Sequence, residues 1–201
     1  MVIFDLKNFC EVKGFEMEGL LPTDILEAEH RFIKLAVSAV EHIIERHSAS
    51  GEINIQKIKQ FVDFMRSYAD QCHHGKEEDL LFPALIELGV PEQGCPVGAL
   101  KGEHIRGRSY VANLIEGLEL VKANDERGYE QIKKGLEGIV KLYPNHIWKE
   151  DFLLFPMTEK IMNEETLINL KEKFSRFDET FGVEKIKFYE SFARDISAAA
   201  D

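Results

Sequence analysis

Apolar residues recur every third or fourth position along almost the whole chain, and alternating strand-like runs are scarce beyond the first twenty residues. That periodicity predicts an all-α protein. Pro22, Thr23 and Asp24 mark a helix start, and the pattern breaks at 48-SASGEIN-54, 89-GVPEQGCP-96 and 123-ANDERG-128. Four long helices are therefore expected near 24–47, 54–88, 97–122 and 127–160. Connections this short favour antiparallel neighbours, hence an up-down-up-down four-helix bundle. Residues 1–162, including a short N-terminal segment, are assigned to that bundle. Residues 163–201 read as a C-terminal helical extension whose Phe174, Phe177, Tyr189 and Phe192 face the bundle, a partner or a second copy of the chain.

A bundle buries one residue every three or four positions, so each helix has an inner stripe. The first reads Leu26, His30, Ile33, Val37, Val40, Ile44, and the third Val97, Leu100, His104, Gly107, Val111, Leu114, Leu118, Val121. The second reads Val62, Met65, Ala69, His73, Glu77, Leu80, Ala84, and the fourth Ile132, Leu136, Ile139, Tyr143, His146, Glu150, Leu153, Met157. Every stripe carries a histidine, and two carry a glutamate as well.

The polar interruptions repeat. HHGKEEDLLFP at 73–83 has a counterpart in HIWKEDFLLFP at 146–156, so that His73 and His146, Glu77 and Glu150, and Pro83 and Pro156 are each separated by 73 positions. His30 and His104 are separated by 74. The chain thus reads as two helix pairs, each supplying a His and then a His-x-x-x-Glu, which suggests a pseudo-twofold site. On a helix, residues four apart are displaced by about 6 Å along the axis and only roughly 40° around it, so the two side chains of each HxxxE point the same way. The repeat selects His73 over its neighbour, because the position equivalent to His74 is Ile147. His74, about 100° around the helix, is expected on the surface or behind the ligands. His42 and His47 have no carboxylate at useful spacing and are expected to face solvent. The two prolines are expected to impose matching kinks or helix ends, and Pro144 to bend the fourth helix.

A lone histidine on an apolar stripe is ordinarily a hydrogen-bonded core residue. Four imidazoles and two carboxylates inside one apolar bundle are different, because such groups are expensive to bury without partners. A pair of metal ions satisfies them all. Imidazole with carboxylate and no thiolate suits iron first, with manganese and zinc as alternatives. The ligands read from the stripes are His30, His73, Glu77, His104, His146 and Glu150. If the glutamates bridge, an oxo or hydroxo bridge and at least one position per ion remain for a small ligand.

Composition narrows the partners. The chain has 201 residues, a net charge of −11 and no cluster of Lys and Arg, which argues against nucleic acid. No run approaches a membrane span and no leader stands at the start, so a cytoplasmic location is the expectation. Cys10, Cys72 and Cys95 are too few and too scattered for a disulfide framework or a thiolate zinc site, and Cys72 is expected to be buried.

EAEH at 27–30, HHGKEEDLLFP, GEH at 102–104 and HIWKEDFLLFP together resemble the hemerythrin-like family, also called HHE cation-binding domains, over about residues 24–160. The resemblance implies a non-haem di-iron centre on the same six residues, with both glutamates bridging. The oxygen-carrying members have an HxxxH pair on the third helix, whereas here His104 is followed by Arg108, which argues against simple oxygen transport. Those carriers also use an aspartate five residues after the last histidine, where Asp151 stands, but the repeat favours Glu150. The pattern is more similar to the bacterial branch that repairs iron–sulfur centres or handles nitric oxide. The expected function is binding or reduction of oxygen, nitric oxide or peroxide, with catalysis left open. The alternative is a non-catalytic iron or oxygen sensor or an iron-binding module.

Overall fold

In a computed structural model of the chain, residues 20–50 and 53–198 are described, the side chains of 45–50 excepted, so Cys10 and the side chain of His47 lie outside them. The described residues form an all-α bundle with no strand. Its helices are α1 (Pro22–Ser50), α2 (55–87), α3 (Val97–Lys122), α4 (127–161), α5 (Glu164–Phe181) and α6 (Val183–Ala198). Asn54 and Asn163 start α2 and α5 by accepting the backbone N–H of Lys57 and Thr166 at 3.0 and 2.9 Å, which satisfies otherwise orphaned donors of the first turn. Gly182, with φ at 107°, lets the chain leave α5 and enter α6 after one residue.

Neither proline of the repeat ends its helix. Helix α2 runs on through Phe82–Glu87 and α4 through Phe155–Ile161, and in front of each proline lies a π-helical turn, Glu77–Leu81 in α2 and Glu150–Leu154 in α4. A proline in a helix has no N–H and pushes against the carbonyl four residues back. A wider turn with i→i+5 spacing relieves both conflicts without breaking the helix. The extra residue shifts the inner stripe by one. Leu80 and Leu153, expected inside, lie further out, with Leu153 52% exposed, and Leu81 and Leu154 are buried in their place. A longer π-helical stretch, Met65–His74, runs into the first HxxxE in α2 and includes its histidine. Pro144, by contrast, sits within a continuous α-helical stretch, Arg127–Lys149.

The apolar core falls into two clusters. One contains Ile33, Val37, Phe61, Met65, Val111, Leu114, Leu136 and Ile139; the other contains Leu26, Leu81, Phe82, Leu100, Leu154 and Phe155. On each of α1 to α4 the histidine of the stripe lies in sequence between members of the two clusters, so a polar layer crosses the bundle. Helix α5 adds Leu170 and Phe174 to the second cluster, and α6 adds Tyr189, Ala193 and Ile196 to the first. Helices α3 and α4 are antiparallel and very close: a Cβ on Gly128 would lie 2.5 Å from the Gly117 carbonyl oxygen, and one on Gly135 would lie 2.5 Å from Leu114. Only glycine permits that approach.

Candidate metal centre

The polar layer brings together His30 from α1, His73 and Glu77 from α2, His104 from α3, and His146 and Glu150 from α4, all at most 3% exposed. It also brings in His74, which is 2% exposed and stacks on His104 with ring centroids 3.8 Å apart. The expectation of a surface position for His74 is therefore wrong. It rests on 3.6-residue spacing, and in the π-helical stretch ending at His74 two consecutive residues both reach the interior. His42 is exposed, as expected, and Cys72 is buried.

Two groups of donor atoms form, each with its atoms within 4.8 Å of one another: His30, His73, Glu77 and Glu150 in one, and His74, His104 and His146 in the other. The glutamates stand between them. Glu150 places Oε2 3.2 Å from His30 Nε2, and Oε1 3.2 and 3.6 Å from the Nε2 atoms of His146 and His104. Glu77 Oε2 lies 3.4 Å from His104 Nε2 and 3.8 Å from His73 Nε2. Phe82 stacks on the His104 ring and Phe155 on the His30 ring, again 73 positions apart.

Each imidazole is oriented from behind by a carboxylate. The Nδ1 of His30 pairs with Asp151 at 2.5 Å, that of His73 with Glu29 at 2.9 Å, that of His74 with Asp70 at 3.2 Å, that of His104 with Glu78 at 2.6 Å, and that of His146 with Glu103 at 3.0 Å. A carboxylate only accepts, so this network assigns the proton to Nδ1 and turns the Nε2 lone pair inward. Behind the carboxylates stand cations. Lys76 pairs with Glu29, Lys149 with Glu103, Lys34 with Asp151 at 2.7 Å, and Arg108 with both Glu78 and Asp70 at 2.9 and 2.8 Å.

These outer layers repeat like the ligands. Glu29 and Glu103, and Lys34 and Arg108, are 74 apart; Glu78 and Asp151, and Lys76 and Lys149, are 73 apart. The support runs in a ring, because α1 holds the histidine of α2, α2 that of α3, α3 that of α4, and α4 that of α1. The symmetry fails at His74 and Asp70, whose equivalents are Ile147 and Tyr143. The inner residues were legible as a repeat of HxxxE; the same repeat carried the other outer carboxylates and cations, and His74 with its partner Asp70 had no repeated signal.

Burial pushes all five imidazoles below their ordinary range, His74 to about 3, so they are neutral and available as donors. Burial, and then neighbouring carboxylates, push Glu77 and Glu150 well above theirs. Four of the outer carboxylates behave oppositely: hydrogen bonds from His146 and Lys149 hold Glu103 down at about 2, bonds from His74 and Arg108 hold Asp70 at about 2 against the pull of burial, and Glu78 and Asp151 are likewise lowered, whereas burial pushes Glu29 up. The five Nε2 atoms and all four oxygens of Glu77 and Glu150 are buried without a hydrogen-bond partner. Inward lone pairs gathered around two carboxylates that share both groups are a donor set for cations.

The comparisons agree. Residues 21–158 match the family described as Hemerythrin HHE cation binding domain. The chain belongs to that family, which fits the donor set to a metal, in this family typically iron. The chain is also similar to the uncharacterized protein Rv1995 of Mycobacterium tuberculosis and the uncharacterized protein Mb2018 of Mycobacterium bovis, at 21% identity over 159 residues, which is 79% of this chain. It spans 61% of the length of those relatives. No solved structure matches it. No described helix is long and apolar enough to cross a membrane.

Proposed function

We propose that the chain is a di-iron protein that binds or reduces a small ligand such as oxygen, nitric oxide or peroxide. His30 and His73 would hold one ion and His74, His104 and His146 the other, with Glu77 and Glu150, which lie between the two sets, available to both. The observation that carries this reading is the set of five Nε2 atoms and four carboxylate oxygens that share one buried layer with no other partner. Leaving so many polar atoms unmade would cost on the order of 1–3 kcal/mol for each neutral group, and two cations satisfy them together.

Bound iron would supply one-electron redox chemistry and open coordination positions. The protein's part is to hold each imidazole in one tautomer, to fix its ring through a carboxylate, and to exclude water with the phenyl rings of Phe82 and Phe155. The half with His30 and His73 would offer an ion one imidazole fewer, the equivalent of the missing one being the apolar Ile147. An ion held there would keep more coordination positions for a small ligand. With His74 counted, α2 supplies a fifth imidazole where α3 has Arg108 in place of a second histidine, so the missing HxxxH pair weighs less against an oxygen carrier.

Iron-reconstituted protein tests the reading. Metal analysis is expected to give two irons per chain, and the visible spectrum of the anaerobically reduced protein to change on adding oxygen, nitric oxide or peroxide. Protein that retains no metal overturns the site, and metal-loaded protein whose spectrum responds to none of the three overturns the ligand.

A further inference from the structure

The two halves of the centre differ in what stands behind them. On α4, Lys149 pairs with Glu103 from a position where its side chain is 33% exposed. Its counterpart on α2, Lys76, is fully buried. Its ammonium reaches Glu29, Cys72 Sγ at 3.6 Å, and Asp178 on α5 at 2.6 Å. A lysine ammonium has three donors, and here each has an acceptor. Among the described residues no carboxylate other than Glu103 pairs with Lys149, so Asp178 has no equivalent there.

A second contact joins the same helices. A Cβ on Gly75 would lie 2.7 Å from Cζ of Phe177, so the α5 ring rests directly on the α2 backbone two residues beyond His73. The position equivalent to Gly75 on α4 is Trp148, which is 52% exposed. Helix α5 thus covers one of two related faces and leaves the other open.

We propose that α5 belongs to the metal centre, with Asp178 as a positioning residue that orients His73 through Lys76 and Glu29. Glu29 commits Oε2 to His73 and Oε1 to Lys76, so its plane is set by where that ammonium sits. The ammonium is set in turn by Asp178 and by the seat of Phe177 on Gly75. His146 is oriented by Glu103, which Lys149 and the exposed Arg106 hold, with no α5 carboxylate behind them among the described residues. Helix α5 therefore bears on one half of the centre, the one with His30 and His73. This rests on the metal-binding reading above.

The test compares Asp178→Asn, which keeps the shape and removes the charge, with Asp178→Glu as the conservative rescue. Phe177→Leu loosens the same helix without touching charge, and so stands in if Asp178→Asn fails to fold. Ring-nitrogen NMR signals of histidine in the metal-free chain are the first readout, and retention of iron against a competing chelator is the second. Asp178→Asn or Phe177→Leu is expected to move the His73 signals and leave those of His146 in place, with Asp178→Glu restoring them. One of the two irons should be lost at roughly 10-fold lower chelator, the lower end of what an outer-carboxylate change does to a metal site. Unmoved His73 signals, or equal movement at His73 and His146, overturn the proposal. If wild-type protein holds no iron, the metal reading fails while the NMR arm still decides whether Asp178 positions His73.

Discussion

The α1–α2 pair and the α3–α4 pair can be laid over one another residue by residue. His30 and His104, His73 and His146, and Glu77 and Glu150 correspond, as do the carboxylates and cations behind them. They part at His74 and Asp70, matched by Ile147 and Tyr143, and at Lys76, which is buried under α5 where Lys149 reaches solvent. The residues that match are those that, on the proposed reading, would gather a pair of cations. Those that differ would bear on one cation at a time. Two ions held this way would differ in ligand number, in charge behind the ligands and in access.

Glu77 and Glu150 are where that comparison can be broken most severely, since each lies against histidines of both halves. Glu77→Ala and Glu150→Ala are each expected to abolish binding of both ions, read as iron per chain after reconstitution and desalting. Loss of a single ion would mean that the carboxylate serves one half only.

His74→Ile imposes the α4 residue on α2 and should remove one ion, by a larger factor than any change behind the ligands, with little loss of fold because Ile147 already occupies the equivalent buried place. Metal titration with a competing chelator checks this; two irons bound as tightly as in wild type would exclude His74 from the centre. Smaller effects are expected one layer out. Glu103→Gln and Glu29→Gln should each weaken metal retention by roughly 10–100-fold, measured in the same titration.

The smallest effect is on the metal-free fold. The imidazoles are held below their ordinary 6.5 by burial, so below that pH the unfolded chain binds more protons than the fold. Their contribution to stability is complete above 6.5 and declines on acidification. Glu77 and Glu150 have the opposite sign: their carboxyls are raised above 4.5, so the fold keeps protons that the unfolded chain has released, and stability falls as pH rises from 4.5. Thermal melts of metal-free Glu77→Gln/Glu150→Gln protein should therefore show a gain over wild type at neutral pH that shrinks toward pH 4.5.

Much of this arrangement was legible before the fold was known, and the remainder was hidden for definite reasons. Stripes such as Leu100, His104, Gly107 and Val111 are regular because α3 is a regular helix, and they gave the helices to within a few residues. Leu153 and Leu80 were misplaced because a proline three residues on shifts the turn, which periodicity at 3.6 cannot register. His74 was misplaced for the same reason, inside a longer π-helical stretch. The outer carboxylates Glu29, Glu78, Glu103 and Asp151 were present in the repeat, but each acts on a histidine of a different helix, and a linear pattern does not reveal that crossing. Asp178 is a further step removed, 102 positions from the lysine that it holds.

The glycine-lined seam between α3 and α4 bears on how the molecule can move. With backbone against backbone at Gly117 and Gly128, and Leu114 filling the space over Gly135, those two helices leave no slack between them. They form a stiff wall. Breathing of the bundle is expected from α1 and α2 rather than at that seam, so amide hydrogens near Gly117 and Gly128 should be among the slowest of the described residues to exchange.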